Sequence, residues 1–469
     1  MTGVGITSWA TAIPMWRLDR GLMGSAWDTP ALPGERAVAG GDQDSLTLAV
    51  EAALAAAPDP SAIDAVFFAT TTPPYAEKHG AATIAAVLDR HSVRTADFTG
   101  TIRAGTQATL AGMDAVRSGS ARAALVVAAD LRPAEPSSVT EQLFGDGAGA
   151  IVIGPDAPVE VVSQSSFAEE SPGPWRRTGD PFVRSFDAKS ETEYGYARAI
   201  EEAVTTALGS AGVAAADVAA FAAFAPDPRT YAVTAKRLGM SPMKDPLFAS
   251  VGNLGAAHAL VSLAHALDGA APGDAIVFAS AGEGADAIVL RAREGVTDAR
   301  PARTTDEAIA DKRALPSYER YLRFRELLPW EDPVVPGSPI RAWRDREQAF
   351  PLYGVRCTAC GVVQFPANRA CIACSVADKM ERVRLQKRGT VFTFTLDHLV
   401  GGRYLETPVP RLVVELDGGG RIFLEGTDCD PGEVAVGMLV ELTFRLMHEG
   451  ANIRNYYWKA RPARPGGAA

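Results

Sequence analysis

Two stretches of this chain run through the same order of elements. MDAVRSGSARAALVVAAD (113–130) reads as a helix, a Gly-containing turn and a buried strand, and SLAHALDGAAPGDAIVFASAG (262–282) repeats that order. Each leads into a Gly-rich turn and a further apolar strand, FGDGAGAIVIG (144–154) and GEGADAIVLRA (282–292). Strands that alternate with helices specify a layered α/β architecture. Two halves with matching ends specify one fold unit used twice, expected over 1–155 and 156–295. Abundant Ala and Gly suit close packing of helices on sheets.

The pattern then changes. Residues 296–345 read as a linker and a helix: ARPARTTDEA is polar, LPSYERYLRFRELLPW has helical spacing with a charged face, and EDPVVPGSPI is too Pro-rich for a long helix. Residues 346–383 hold a cysteine-rich stretch. Over 384–462 the chain alternates apolar and polar residues in TVFTFTLDHLV, RLVVELDGGGRIFLEG and LVELTFRLM, separated by Gly and Asp-Pro turns. About five short strands fit a small all-β Greek-key barrel of the OB kind. The tail, 463–469, is expected to be disordered.

All five cysteines lie after residue 356, and Cys357, Cys360, Cys371 and Cys374 form two CxxC pairs with ten residues between them. Without a secretory signal that spacing reads as metal, not disulfides. Two knuckles close a tetrahedral site and leave no open position for water, so the zinc is structural rather than catalytic. It staples a ribbon too small to hold its own core. Iron is a chemically possible occupant. Gly361 follows the first pair, where the knuckle wants a permissive backbone. Cys429, alone in EGTDCDPG, reads as a loop residue.

The formal net charge of −10 argues against a nucleic-acid backbone as partner. From Arg346 onward there are 16 basic residues against 13 acidic, too few to line a positive groove. No apolar run reaches the roughly 20 residues that a membrane helix needs. The N-terminus MTGVGITSWATAIP lacks the basic and apolar regions of a signal peptide. A cytoplasmic protein is expected.

The motifs carry two resemblances. WRDRE, YGVRCTACGVVQFP, the second CxxC, GTVFTFT and VGMLVELTF make 356–460 resemble the rubredoxin-like zinc-ribbon plus OB-fold family that accompanies thiolases and acyl-CoA synthases. VGITSWATAIPMWRL, ERAVAGGDQDSLTLAVEAAL, PPYAEKHGAATIAAVL, FGDGAGAIVIG, PWRRTGD, VGNLGAAHAL and YERYLRFREL follow in the order of the 3-hydroxy-3-methylglutaryl-CoA (HMG-CoA) synthase branch, near ketoacyl-ACP synthase III. The implied fold is a duplicated five-layer αβαβα thiolase fold, then a zinc ribbon and an OB barrel.

Such synthases take an acyl group from CoA onto a Cys thiolate at a helix N-terminus. The resemblance puts Ile102 of TIRAGT at the Cys position, Ala225 of FAAFAP at the His position, and Thr71 of ATTTPPY at the acidic position. Asn253 of VGNLGAAH still matches. Asp146 of GDGAGA reads as a hairpin turn residue. Arg176 and Arg177 of PWRRTGD are candidates for CoA phosphates. His258, Tyr75 and His79 are candidate substitutes for an acid or base in aldol-type chemistry, whereas Thr101 and Thr106 would be weak nucleophiles. The resemblance implies an acyl-CoA ligand, a thiolase subunit as partner and a homo- or hetero-oligomer. The loss of three catalytic groups favours a non-catalytic subunit. The alternatives are an active acyltransferase or aldolase with substituted residues and, more distantly, a nucleic-acid-binding zinc/OB protein.

Overall fold

The computed structural model describes residues 3–171, 173–240, 247–328, 338–400, 407–450 and 453–464. The chain divides into two compact units. The first holds Met1–Ala39, Asp44–Ala85 and Ser92–Tyr321, and the second holds Gly40–Gln43, Ala86–His91 and Leu322–Ala469.

Nine strands of the first unit form one sheet: β1 (Val4–Ala12), β2 (Ile63–Ala69), β3 (Arg94–Phe98), β4 (Ala123–Leu131), β5 (Asp146–Pro155), β6 (Val159–Ala168), β7 (Val218–Ala223), β8 (Ala275–Ala281) and β9 (Gly284–Ala292). Their order is β3-β2-β4-β5-β1-β6-β9-β8-β7. The seam between β1 and β6 is thin, with only Gly5 opposite Glu160 and Ile6 opposite Val159. Outward from that seam, β1-β5-β4-β2 repeats as β6-β9-β8-β7. In both series the first two pairings are antiparallel and the third is parallel. The duplication in the sequence is therefore a duplication of topology.

Four helices complete the layers: α1 (Ser45–Ala56), α2 (Ala104–Arg117), α3 (Arg198–Ala211) and α4 (His258–Asp268). A capping box starts α1: Thr47 N donates to Asp44 Oδ1 (2.9 Å), and Asp44 N donates to Thr47 Oγ1 (2.8 Å). It covers β1, β4 and β5, while α3 covers β6, β8 and β9. On α3 the buried residues Ile200, Ala203, Val204, Ala207 and Leu208 follow the 3.6-residue period. Helices α2 and α4 touch each other and strands of both halves, so they form the middle layer of a five-layer αβαβα stack. That layer is tight: a Cβ on Gly105 would lie 2.7 Å from the Ala256 carbonyl oxygen.

Residues 296–321, expected as linker and helix, are part of the first unit. Thr304 and Glu307 cap a helix over Thr305–Ala310, and Leu315, Tyr318 and Tyr321 are buried. Tyr318 Oη donates to Glu141 Oε1 (2.8 Å). The buried residues are widely spaced among charged ones, so the composition reads as a linker although the side chains anchor. Most of the Pro-rich stretch after it, 329–337, lies outside the described residues.

In the second unit, Tyr353–Cys357 pairs with Val363–Gln364 and with Met380–Arg384 in a small antiparallel sheet. A five-stranded antiparallel sheet follows, in the order Arg421–Glu425, Val409–Leu416, Arg388–Asp397, Leu439–Gly450, Ile453–Pro462. A bridge between Gly426 and Ala460 joins its two ends and closes the barrel. Inside are Val391, Leu412, Val414, Leu424, Phe444 and Trp458. Part of the tail is ordered, because Ala463 N donates to the Leu439 carbonyl (3.0 Å). Residues 465–469 lie outside the described residues. Among the described residues, no helix is long and apolar enough to cross a membrane.

Candidate functional site

The first unit encloses a cavity of about 490 Å³ between its two halves. One wall comes from the first half: Thr71 after β2, Ile102 before α2, Arg132 after β4, and Phe144. The other comes from the second half: Tyr196, Phe224, Asn253 and Glu283. Ile102, Thr71 and Asn253, taken from three distant motifs, thus share one cavity. Ala225 is buried between the lining residues Phe224 and Pro226.

Ile102 directly precedes Arg103, the N-cap of α2, where the helix dipole and open N–H groups stabilise negative charge. A thiolate there would be activated, but an isoleucine offers neither nucleophile nor charge. At the next position, the Thr71 hydroxyl is committed to Asp130. That carboxylate accepts from six donors at 2.6–3.1 Å: the Thr70, Thr71 and Thr72 hydroxyls and the backbone N–H groups of Thr71, Thr72 and Ala256. Asn253 is also committed. Its Nδ2 donates to the carbonyls of Ala225 (3.1 Å) and Pro226 (3.2 Å), and its Oδ1 accepts from Gly255 N (2.9 Å).

The candidate substitutes stand elsewhere. His258 is fully buried, tilted against the Phe248 ring at 4.9 Å, and its Nδ1 accepts from Leu254 N (3.3 Å). Tyr75 lies under the Lys78 ammonium (5.9 Å) and His79 beside Asp97 (3.3 Å). None of the three lines the cavity. Thr101 does, and its hydroxyl donates to Glu283 Oε2 (3.0 Å), whereas Thr106 is buried on Asp286 (2.9 Å). Arg176 lines the cavity and donates to the Thr71 carbonyl (2.5 Å), but Arg177 turns to Asp180 (3.2 Å). Asp146, expected in a hairpin turn, is the buried first residue of β5, accepts from Ala39 N (2.7 Å) and faces Arg36 at 3.7 Å.

Two lining residues carry no family motif and were not singled out in the sequence. Tyr196 Oη donates to the Phe224 carbonyl (2.8 Å), and burial pushes its pKa well up, so it stays protonated. Arg132 lies under the Phe144 ring, its guanidinium carbon 4.7 Å from the centroid. The one signal for Arg132 was an arginine directly after the apolar run ALVVAADL.

In the second unit the Sγ atoms of Cys357, Cys360, Cys371 and Cys374 lie within 4.8 Å of one another. Cys357 and Cys374 are 3.7 Å apart, and Cys360 and Cys371 are 3.5 Å apart. Four sulfurs at about 2.3 Å from a tetrahedral Zn²⁺ stand roughly 3.8 Å from each other, so the donor set fits that ion. Cys429 is half-buried and outside the cluster.

Comparison with known proteins bears on both units. The hydroxymethylglutaryl-CoA synthase of Aeropyrum pernix is 33% identical over 342 residues, covering 69% of this chain and 94% of the relative. The chain belongs to the hydroxymethylglutaryl-CoA synthase family. The Pyrococcus furiosus synthase is 29% identical over 339 residues, covering 69% of this chain and 97% of its own length. The family model for 3-oxoacyl-(acyl carrier protein) synthase III matches residues 97–170. The model for the rubredoxin-like zinc ribbon domain of ChsH2 matches 352–381, and that for the ChsH2 C-terminal OB-fold domain matches 382–445. This family member therefore carries a zinc ribbon and an OB domain in the same chain. Among solved structures, MvaS in complex with 3-hydroxy-3-methylglutaryl coenzyme A superposes with a TM-score of 0.61 at 19% identity, covering 72% of this chain and 95% of that one. The 3-oxoacyl-(acyl carrier protein) synthase III of Pseudomonas aeruginosa gives 0.56 at 22%, covering 62% and 99%. At that identity these structures establish the shared fold.

Proposed function

We propose that this chain is a non-catalytic acyl-CoA-binding and scaffolding subunit that serves a thiolase in making or breaking C–C bonds of acyl-CoA compounds. Ile102 carries the reading. The cavity wall at the N-terminus of α2 presents a saturated side chain, and no cysteine precedes Cys357. An acyl group cannot be held covalently there. Thr71 and Ala225 supply no acid or base, and the hydroxyl of Thr71 is bound to Asp130.

What remains supports binding. The cavity is large enough for an acyl chain with part of its pantetheine arm, and Arg176 offers a guanidinium to a phosphate. The four-cysteine ribbon would hold a structural zinc, whose chemistry is to fix the fold of the domain. Thiolates kept free for a metal fit a reducing, cytoplasmic setting. Joining synthase-like, zinc-ribbon and OB parts in one chain fixes their stoichiometry.

The test is release of free CoA by the purified chain, given acetyl-CoA, acetoacetyl-CoA and a wider acyl-CoA panel. The expected result is no release by the chain alone, tight binding of at least one thioester, and release when a co-purifying thiolase is added. Turnover by the chain alone, abolished in Tyr196→Phe or Arg132→Met, would replace this reading with an acyltransferase or aldolase built on substituted residues.

A further inference from the structure

Among the described lysines, Lys387 of the second unit stands apart. Lys78, Lys189, Lys236, Lys312 and Lys379 are exposed, and the buried Lys459 is held by two carboxylates, Asp42 at 3.0 Å and Glu425 at 3.1 Å. Lys387 is half-buried and has no carboxylate in ion-pair range among the described residues. It directly precedes the barrel strand Arg388–Asp397, and its carbonyl accepts from Leu442 N (2.7 Å), which fixes its backbone on the barrel. Its ammonium lies over the face of the fully buried Trp458, 5.3 Å from the ring centroid. An aromatic face attracts a cation only modestly, and loss of water costs the charge more. Arg384 adds repulsion. Its Nε and Nη2 donate to the carbonyls of Pro351 (3.2 Å) and Val87 (2.9 Å), and no carboxylate pairs with it among the described residues. The acid that attracts Lys387 across space, Asp89, already accepts from Tyr353 Oη (2.6 Å) and lies 3.4 Å from His91 Nε2. Burial first, then Arg384, brings the Lys387 pKa down to about 8, so a sizeable fraction is free amine just above neutral pH.

We propose that Lys387 is a site of covalent N-acylation, taking the acyl group of a CoA thioester onto its ε-amine. The inference rests on the acyl-CoA reading above for its donor. The amine nitrogen attacks the thioester carbonyl, an amide C–N bond forms as the C–S bond breaks, and the amine proton leaves with the sulfur as free coenzyme A. The surroundings that disfavour the ammonium favour the product, since an amide carries no charge to desolvate. Each chain reacts once, so the acyl group is a mark on the protein and not a turnover.

Site-resolved mass spectrometry of the full-length chain, incubated with acetyl-CoA near the Lys387 pKa of about 8, tests this. An ordinary lysine is under about 1% free amine there, so Lys387 should be acetylated at least roughly tenfold faster than Lys189 or Lys379. As the pH is raised, the rate at Lys387 should level off above its pKa, whereas the exposed lysines keep accelerating. In urea the advantage should vanish, because the fold creates it. Acetyl phosphate, run in parallel, separates the two readings. Preference for Lys387 with acetyl phosphate alone would leave a reactive amine without a thioester donor, and the acyl-CoA reading would fall with the proposed donor. No preference with either donor while acetyl-CoA still binds, or a preference that survives unfolding, would overturn the inference and leave the acyl-CoA reading standing.

Discussion

Ile102 and Thr71 carry opposite kinds of information. Thr71 is woven into the Asp130 network, so Thr71→Ala removes one donor, its hydroxyl, from a buried carboxylate and should cost about 1–3 kcal/mol, measurable by chemical denaturation. Ile102 makes only apolar contacts, so it can be exchanged. Ile102→Cys places a thiol at the N-terminus of α2, where its pKa falls below the usual 8.5 or so. Intact-mass measurement should find it acetylated by acetyl-CoA, with no sustained turnover, because neither Thr71 nor Ala225 can move the proton. A variant that cannot be acetylated would show that the cavity does not admit the thioester to that wall. Ile102, Thr71 and Asn253 could be found in the sequence because each sits in an ordered motif. Arg132 could not, since what marks it is its place in the cavity wall against the Phe144 ring, which only the folded chain brings about. His258 misled for the converse reason: its proximity to Asn253 along the chain says nothing of the aromatic pocket that encloses it.

At the level of elements, the repeated helix–turn–strand order was enough to foresee the layers, because hydrophobic period and Gly placement are local. The anchoring of residues 305–321 was not foreseeable, since it depends on Tyr318 reaching Glu141 across 177 positions. Tyr318→Phe should lower stability by about 1–3 kcal/mol, read from the denaturation midpoint, as a buried carboxylate loses a donor. The middle layer offers a sharper test. Gly105→Val would push a side chain against the Ala256 carbonyl and, as an overpacked core, should cost roughly 1–3 kcal/mol or leave the protein insoluble. In the ribbon, Cys360→Ser should leave elemental analysis with well under one zinc per chain, and protease should then cut preferentially between residues 350 and 385.

For the molecule as a whole, β3 ends the nine-stranded sheet and, among the described residues, has only β2 beside it, leaving a row of backbone groups along one edge. Edges of that kind are pairing sites, and an oligomer of the kind the resemblance implies would use this one. Thr95→Lys should therefore shift sedimentation toward the monomer and weaken capture of the thiolase, with zinc content unchanged. The distribution of sulfur has a separate consequence. Four of the five cysteines are gathered at one point, and the first 356 residues contain none. The protein consequently carries its own gauge. With the metal seated, a thiol-reactive dye has a single unligated target, Cys429, and with the metal withdrawn it has five. A colorimetric thiol count on the purified chain would report occupancy of the ribbon directly, without any assay of activity.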